Sequence, residues 1–430
     1  MGYESENRSA VIDYIASGAK QGHLGMLGLE VEHHVLFYDG SQVAYAAHDK
    51  PVGVRNVLEH LATWYPHREY NARHELLGLS GEDGTVTLEP AAQLEISVAP
   101  HELVRHVDAA YQRFRERTDA YLTVRGAMLA TAGYHPVYKA QELELIPKQR
   151  YGYMDDYFAS IGSHGDRMMR ASTSTQVSID YSNEADAVRK MRVAAVLAPI
   201  LAAIADNTPV FESRPNLVPI RRLQMWREVD NARCGTPPHL FEANYGYGTY
   251  VDWLFDTSPV FVPRHAADGS VTTHPAYTTP AREVYAAAPM SREDVEHLLS
   301  MFWPDVRLKK FVEVRPADGL PAHVISGYVA LIKGLFYAEP SLVAIEETLG
   351  VNPDVAATHG AWPISEGDVA QAISDIQTMG FEARLYAGRT LREWEDLLFR
   401  LAREALPEDE RAYLDPLVGF AADKPWWHVG

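Results

Sequence analysis

Three stretches of this chain alternate apolar and charged residues with a period of two, the pattern of strands with one face toward a core. In Gly28-Leu29-Glu30-Val31-Glu32-His33-His34, residues Glu30, Glu32 and His34 share one face, and Leu29, Val31 and His33 share the other. In Leu88 to Ser97, residues Gln93, Glu95 and Ser97 line up opposite Leu94 and Ile96, with Glu89 at the start. In Val306 to Arg315, Lys309, Glu313 and Arg315 fall on one side. Met168 to Tyr181 reads as a fourth strand, with Gln176, Ser178 and Asp180 opposite Val177, Ile179 and Tyr181.

Helical spacing marks most of the rest. Residues 7–22 carry the stripe Val11, Ile12 and Ile15; Val52 to Tyr65 carries Val54, Leu58, Leu61 and Tyr65, with Pro66 just beyond. His101 to Leu122 is expected as a long helix packing through Leu103, Val107, Tyr111, Phe114 and Tyr121. Asn183 to Asn207 is apolar enough to be buried, and Pro199 is expected to bend or end it. The C-terminal third is helical: Ser291 with Asp294, Ser365 with Asp368 and Thr390 with Glu393 fit capping boxes. There Trp394, Leu397, Leu398 and Leu401 form a packing stripe. Residues 212–250, rich in Pro and Gly, read as a long irregular segment with a functional role, because Arg221, Arg222, Arg227 and Arg233 cluster about Trp226 and Asp230. Arg264 to Pro280 reads as an exposed, mobile loop.

Length and composition bound these elements. At 430 residues the chain exceeds the roughly 250–300 residues at which one core stops growing, so a large core with an appended subdomain is expected. The formal charge of −19 argues against nucleic acid as a partner. Cys234 is the only cysteine, which excludes an internal disulfide and a cysteine zinc cluster, and it reads as a packed residue. The acidic N-terminus lacks a secretory h-region, and the longest apolar run, Val193 to Ala205, falls short of the roughly 20 residues a membrane span needs. A soluble protein of the cytoplasm, without membrane partners, is expected.

Two carboxylates side by side on a strand repel unless a cation lies between them. A carboxylate-only cluster suits a hard ion such as Mg2+, which commonly arrives with phosphate oxygens. Paired carboxylates also suit a glycosidase, but Arg170, Lys309 and Arg315 nearby favour phosphate, because guanidinium forks match its oxygens. Other chemistries lack their motifs: there is no Gly-Lys-Ser/Thr loop, no Gly-x-Gly-x-x-Gly after a strand and no Gly-x-Ser-x-Gly elbow. His101 and His106 stand five residues apart, which separates them by about 140° on a helix and rules out the two-histidine zinc motif.

Five blocks together resemble the glutamate–cysteine ligase (γ-glutamylcysteine synthetase) family, in its plant and bacterial branch. They are Gly28 to Glu32; Leu88 to Ser97; Met168-Met169-Arg170 through Gln176 to Asp180; Trp226 to Arg233; and Trp303 through Lys309, Glu313 and Arg315 to Asp318. The resemblance implies an α+β, glutamine synthetase-like fold: a curved antiparallel sheet forming a funnel, flanking helices and a helical C-terminal part. It divides the chain into a catalytic domain, 1–338, and a helical C-terminal subdomain, 339–430. It further implies a cytoplasmic enzyme of thiol biosynthesis that uses ATP and Mg2+ or Mn2+ to join glutamate to cysteine through an acyl phosphate.

By motif match, Glu30, Glu32, Glu89, Glu95 and Glu313 would hold metal. Arg315 and Lys309 would stabilise the transferring phosphoryl group, with Lys309, Gln176 and Ser178 facing the nucleotide. Arg170, Arg227 and Arg233 would grip substrate carboxylates, with Trp226 shaping the pocket. Two departures bear on the amine acceptor. Ala91 and Ala92 stand where the family commonly has two glycines, and His33 and His34 follow the first glutamate pair. A different amine acceptor, or a non-catalytic sensor of nucleotide or amino acid, stays open.

Overall fold

A computed structural model describes residues 2–265, 271–352, 355 and 359–427. One antiparallel sheet organises them. Its strands are β1 (Leu27–Phe37), β2 (His67–Tyr70), β3 (Leu76–Gly81), β4 (Gly84–Leu88), β5 (Leu94–His101), β6 (Ala127–Ala130), β7 (Thr175–Ile179), β14 (Val306–Leu308) and β15 (Val312–Val314). Between them in sequence lie short strands β8 (Val210–Phe211), β9 (Arg214–Pro215), β10 (Cys234–Gly235), β11 (Phe261–His265), β12 (Val271–Pro275) and β13 (Trp303–Pro304), which pair outside the main sheet. The order across the sheet is β14-β15-β7-β1-β5-β4-β3-β2, with β6 on the far half of β1.

Strand β1 is the hub because its two halves have different neighbours. Leu27 to His33 pairs with β5 on one side, Leu27 to Val31 pairs with β7 on the other, and His34 to Phe37 pairs with β6. The alternation read from the sequence holds: Leu27, Leu29 and Val31 are buried in the core while Glu30 and Glu32 are half-buried on the opposite face. Helices α3 (Val104–Thr123), α6 (Glu184–Ile204) and α11 (Ala322–Phe336) pack on the sheet. This is the α+β architecture expected. His33 belongs to the packing: its ring nitrogens lie 3.0 Å from the Leu94 carbonyl and 3.0 Å from the Tyr111 hydroxyl on α3.

Several element expectations change. Met168 to Ala171 belongs to helix α5 (Gly165–Ala171), and only Thr175–Ile179 is strand. Helix α6 runs through Pro199, since seventeen of its residues are buried and packing outweighs the roughly 3 kcal/mol of an internal proline. The 212–250 segment is more regular than its Pro/Gly content suggested, carrying α7 (Arg221–Arg227), β10 and part of α8 (Tyr247–Asp256). In the expected loop at 264–280, β11 and β12 form an antiparallel hairpin; residues 266–270 lie outside the described residues. All three capping boxes form, at Ser291, Ser365 and Thr390.

The C-terminal helices close the core. Trp394, Leu397, Leu398 and Leu401 are buried on the helix Leu391–Ala405, which packs on α11. Glu395 on that helix is also buried, with Arg392 the nearest cation at 3.6 Å, and burial pushes its carboxyl from 4.5 up to about 8. A folded-state value above the unfolded one means that its contribution is fully present below about pH 4.5 and lost as pH rises through about 8. Glu395→Gln is therefore expected to leave stability near pH 4.5 little changed and to raise it at pH 8 by on the order of 2–4 kcal/mol. Urea unfolding at the two pH values measures the difference.

Candidate active site

On the face of the sheet opposite the core, a cavity of about 300 Å³ holds an acidic half and a basic half. The acidic half follows from strand register. Glu32 is paired with Glu95 across β1 and β5, Glu30 with Gln176 across β1 and β7, and Glu95 with Thr87 across β5 and β4. Carboxylate oxygens of Glu30, Glu32 and Glu95 thereby lie within 4.8 Å of one another. Glu32 accepts hydrogen bonds from Ser174 N–H (2.9 Å) and Oγ (2.8 Å), and Glu95 from Thr87 Oγ1 (2.7 Å) and Ser97 Oγ (3.2 Å). Among the described residues none of the three forms an ion pair. Burial raises all three carboxyls above the ordinary range, and neighbouring carboxylates push further: Glu95 acts on Glu30, Glu30 on Glu32, and Glu89 on Glu95. Converging, hydrogen-bonded and unneutralised oxygens fit a hard divalent cation.

The basic half lies on β14, β15 and the residues after them. Both oxygens of Glu313 are occupied: Oε2 by Arg307 Nε (2.7 Å) and Arg315 Nη1 (2.9 Å), Oε1 by Lys309 Nζ at 3.4 Å. Burial acts on Glu313 in the opposite direction, but the three cations hold its carboxyl well below the usual range. The structure thus groups Glu313 with the cations, apart from Glu30, Glu32, Glu89 and Glu95, with which the sequence reading had it holding metal. Burial lowers the Lys309 ammonium, with Arg307 adding to the effect.

Gln176 joins the halves. Its amide nitrogen donates to Glu30, to Glu32 (3.4 Å) and to Ser174 Oγ (3.0 Å), and its oxygen accepts from Arg315. Ser178, two residues along β7, is paired with Glu313 and Gly28 and is absent from the cavity wall.

Glu89 lines the cavity from the β4–β5 turn. Gln93 pins that turn: its Oε1 accepts from Ala91 N–H at 2.7 Å, and its Nε2 donates to the carbonyls of Met169, Arg170 and Ser172, each at 3.2 Å. Ala92 adopts φ 64°, the left-handed region that glycine enters without a Cβ penalty. Ala91 and Ala92 are both buried in the core and neither lines the cavity, so the two added methyls do not narrow it.

The three arginines read as substrate grips lie elsewhere. Arg170, on helix α5 and outside strand β7, donates to Asp155 (2.7 Å) and the Leu143 carbonyl (3.1 Å). Arg227 pairs with Asp305, and Arg233 with Asp230, Tyr157 and the Ser258 carbonyl. None of the three lines the cavity. Trp226 does, joined by Arg222 of the same arginine cluster and by Arg307, Lys148 and Arg150, to which the sequence reading gave no role. Arg307 shares the alternation of Lys309 and could have been found from it. Lys148 and Arg150 sit at the start of helix α4 (Gln149–Ile161), where no periodic pattern marks them. Nε of Arg222 and Nε1 of Trp226 are buried at the wall without a hydrogen-bond partner. Cys234 is buried off the cavity, and desolvation raises its thiol out of the nucleophilic range.

The family described as glutamate–cysteine ligase family 2 matches residues 26–420. The chloroplastic glutamate–cysteine ligase B of Oryza sativa subsp. japonica is 28% identical over 397 residues, covering 89% of this chain and 79% of the relative. The chloroplastic glutamate–cysteine ligase of Brassica juncea is 27% identical over 419 residues, covering 97% and 77%. Among solved structures, the glutamate–cysteine ligase of Francisella tularensis in complex with AMP superposes with a TM-score of 0.54 at 11% identity, covering 93% of this chain and 82% of that one, which is a likeness of fold. The cytoplasmic location expected from the sequence is overturned by the curated relatives, whose names place those proteins in the chloroplast.

Proposed function

The chain belongs to glutamate–cysteine ligase family 2, and from that premise we propose that it uses ATP to join the γ-carboxylate of glutamate to the amine of cysteine, forming γ-glutamylcysteine. The observation that carries this reading is one cavity in which three unpaired carboxylates face a clamp of Arg307, Lys309 and Arg315 across a single glutamine. The reaction must bring a carboxylate oxygen onto the γ-phosphorus of a polyanion, so cations have to offset their repulsion. As that bond forms, the bond to the β-phosphate oxygen breaks and ADP leaves. The amine nitrogen then attacks the acyl carbon, phosphate departs, and the nitrogen loses a proton.

Each part of the wall has a task in this scheme. Arg315 and Lys309 take the charge that spreads over the transferring phosphoryl oxygens. Glu313 orients them, because its two oxygens hold all three cations of the clamp. Glu30, Glu32 and Glu95, with Glu89 beside them, would hold Mg2+ or Mn2+, which when bound neutralises triphosphate oxygens. Gln176 keeps Glu30 and Arg315 in fixed relation. The unpartnered donors of Arg222 and Trp226 would receive a substrate carboxylate, since a buried N–H without an acceptor is costly until a ligand supplies one. All of these residues fall within 1–338, and the helical part from 339 onward supports them as a subdomain. Its substrates are small molecules.

Phosphate release from ATP in the presence of Mg2+, glutamate and a panel of amines tests the reading, with product masses taken alongside. Release that requires glutamate and cysteine, with a product of γ-glutamylcysteine mass, is the expected result. Release with some other amine alone would rename the acceptor. No release with any amine would leave a nucleotide or amino-acid sensor on this scaffold.

A further inference from the structure

A second pocket, of about 540 Å³, shares no residue with the acidic cavity yet borders the same helix: Arg222 and Trp226 of α7 line the cavity, and Arg221 lines the pocket. Here Lys139, Arg167, Arg214 and Arg221 line the pocket together with one carboxylate, Glu212. That carboxylate is already engaged. It accepts from the Tyr134 hydroxyl and from Ala140 N–H at 3.0 Å, and lies 3.5 Å from Arg167 Nε without hydrogen bonding it. The Arg167 and Arg221 guanidinium groups sit 5.9 Å and 4.4 Å from the ring centroid of Phe211, which fixes them in place. Nε of Arg221 is buried with no hydrogen-bond partner, and among the described residues Arg214 and Lys139 form no ion pair. At the rim, His164 pairs with Glu228 at 3.1 Å.

Four lining cations face one occupied lining carboxylate, with Glu228 at the rim also acting on Arg221, an excess of positive charge on a chain whose overall charge is −19. The backbone is held open around it at some strain: Glu212, Ser213 and Ile220 have φ of 52°, 62° and 49°, and for the β-branched Ile220 this is an outlier. Such strain persists where the surroundings over-determine it, and binding sites are a common place for it. Guanidinium forks match the paired oxygens of phosphate and carboxylate.

We propose that this pocket is a second anion site, separate from the acidic cavity, which takes a small ligand carrying two or more phosphate or carboxylate groups. Pyrophosphate and citrate are the probes, titrated calorimetrically into the full chain without divalent metal. Wild type is expected to bind at least one of them at a site that weakens tenfold or more in the Arg167→Gln/Arg214→Gln double variant. Turnover of that variant with ATP, glutamate and cysteine, measured without either probe, should stay within twofold of wild type. The exposed Arg214→Gln single variant guards against misfolding and should weaken the same site at least threefold. Loss of pyrophosphate binding identifies a phosphate ligand, and loss of citrate binding a carboxylate ligand. Binding of neither probe, or binding unchanged in the variants, overturns the proposal. The titration needs no turnover, so its outcome is independent of the ligase reading.

Discussion

Glu30→Gln is expected to lower kcat by at least two to three orders of magnitude while leaving the chain folded, and slightly more stable. The two effects have opposite signs for one reason. In the folded chain Glu30 is a carboxylate without an ion pair, beside Glu32 and Glu95 and within hydrogen-bond reach of Gln176. Burial and the nearby charges of Glu95 and Glu313 oppose its ionisation. An isosteric amide removes that repulsion, which favours the folded state near neutral pH. The same amide removes a negative oxygen that a divalent ion needs, and with it the means of offsetting the charge between carboxylate and triphosphate. Steady-state kinetics at saturating ATP and Mg2+, paired with thermal melts, separates the two. Normal turnover would remove Glu30 from the site, and a collapsed melt would mean that its role is structural.

Arg315 supplies the second large effect. Its guanidinium reaches Gln176 and, at 2.9 Å, Glu313, so it stands where the acidic and basic halves meet. Arg315→Met is expected to lower kcat by roughly 10³-fold or more, with KM for ATP changed far less, because the charge it meets is greatest in the transition state. Arg315→Lys keeps the charge but loses the fork, and should recover only part of the loss. The fold should survive, since Arg307 and Lys309 continue to neutralise Glu313. A rise in KM with kcat intact would show instead that Arg315 binds substrate and transition state alike.

Patterning along the chain carried much of this, and its failures have physical reasons. A period of two placed Glu30 and Glu32 on one face, and strand register then brought Glu95 beside them. Capping boxes at Ser291, Ser365 and Thr390 were legible because a cap is a local motif, complete within four residues. Charge partners are not local. Arg170 and Arg227 resembled free cations in the sequence, but folding supplies Asp155 and Asp305, which no period marks. Lys148 and Arg150 reach the cavity from the first turn of a helix, so neither alternation nor an apolar stripe announced them. Met168 to Ala171 reads as strand in the sequence because four residues, with Arg170 among them, are too few to show a helical period.

The central claim is that Glu30, Glu32 and Glu95 gather a divalent ion. It is tested most directly by anomalous diffraction from a crystal grown with Mn2+ and a non-hydrolysable ATP analogue. The account predicts an anomalous peak within bonding distance of oxygens from all three glutamates and of the triphosphate. Nucleotide bound in the cavity, with every Mn2+ peak away from those three residues, would contradict it.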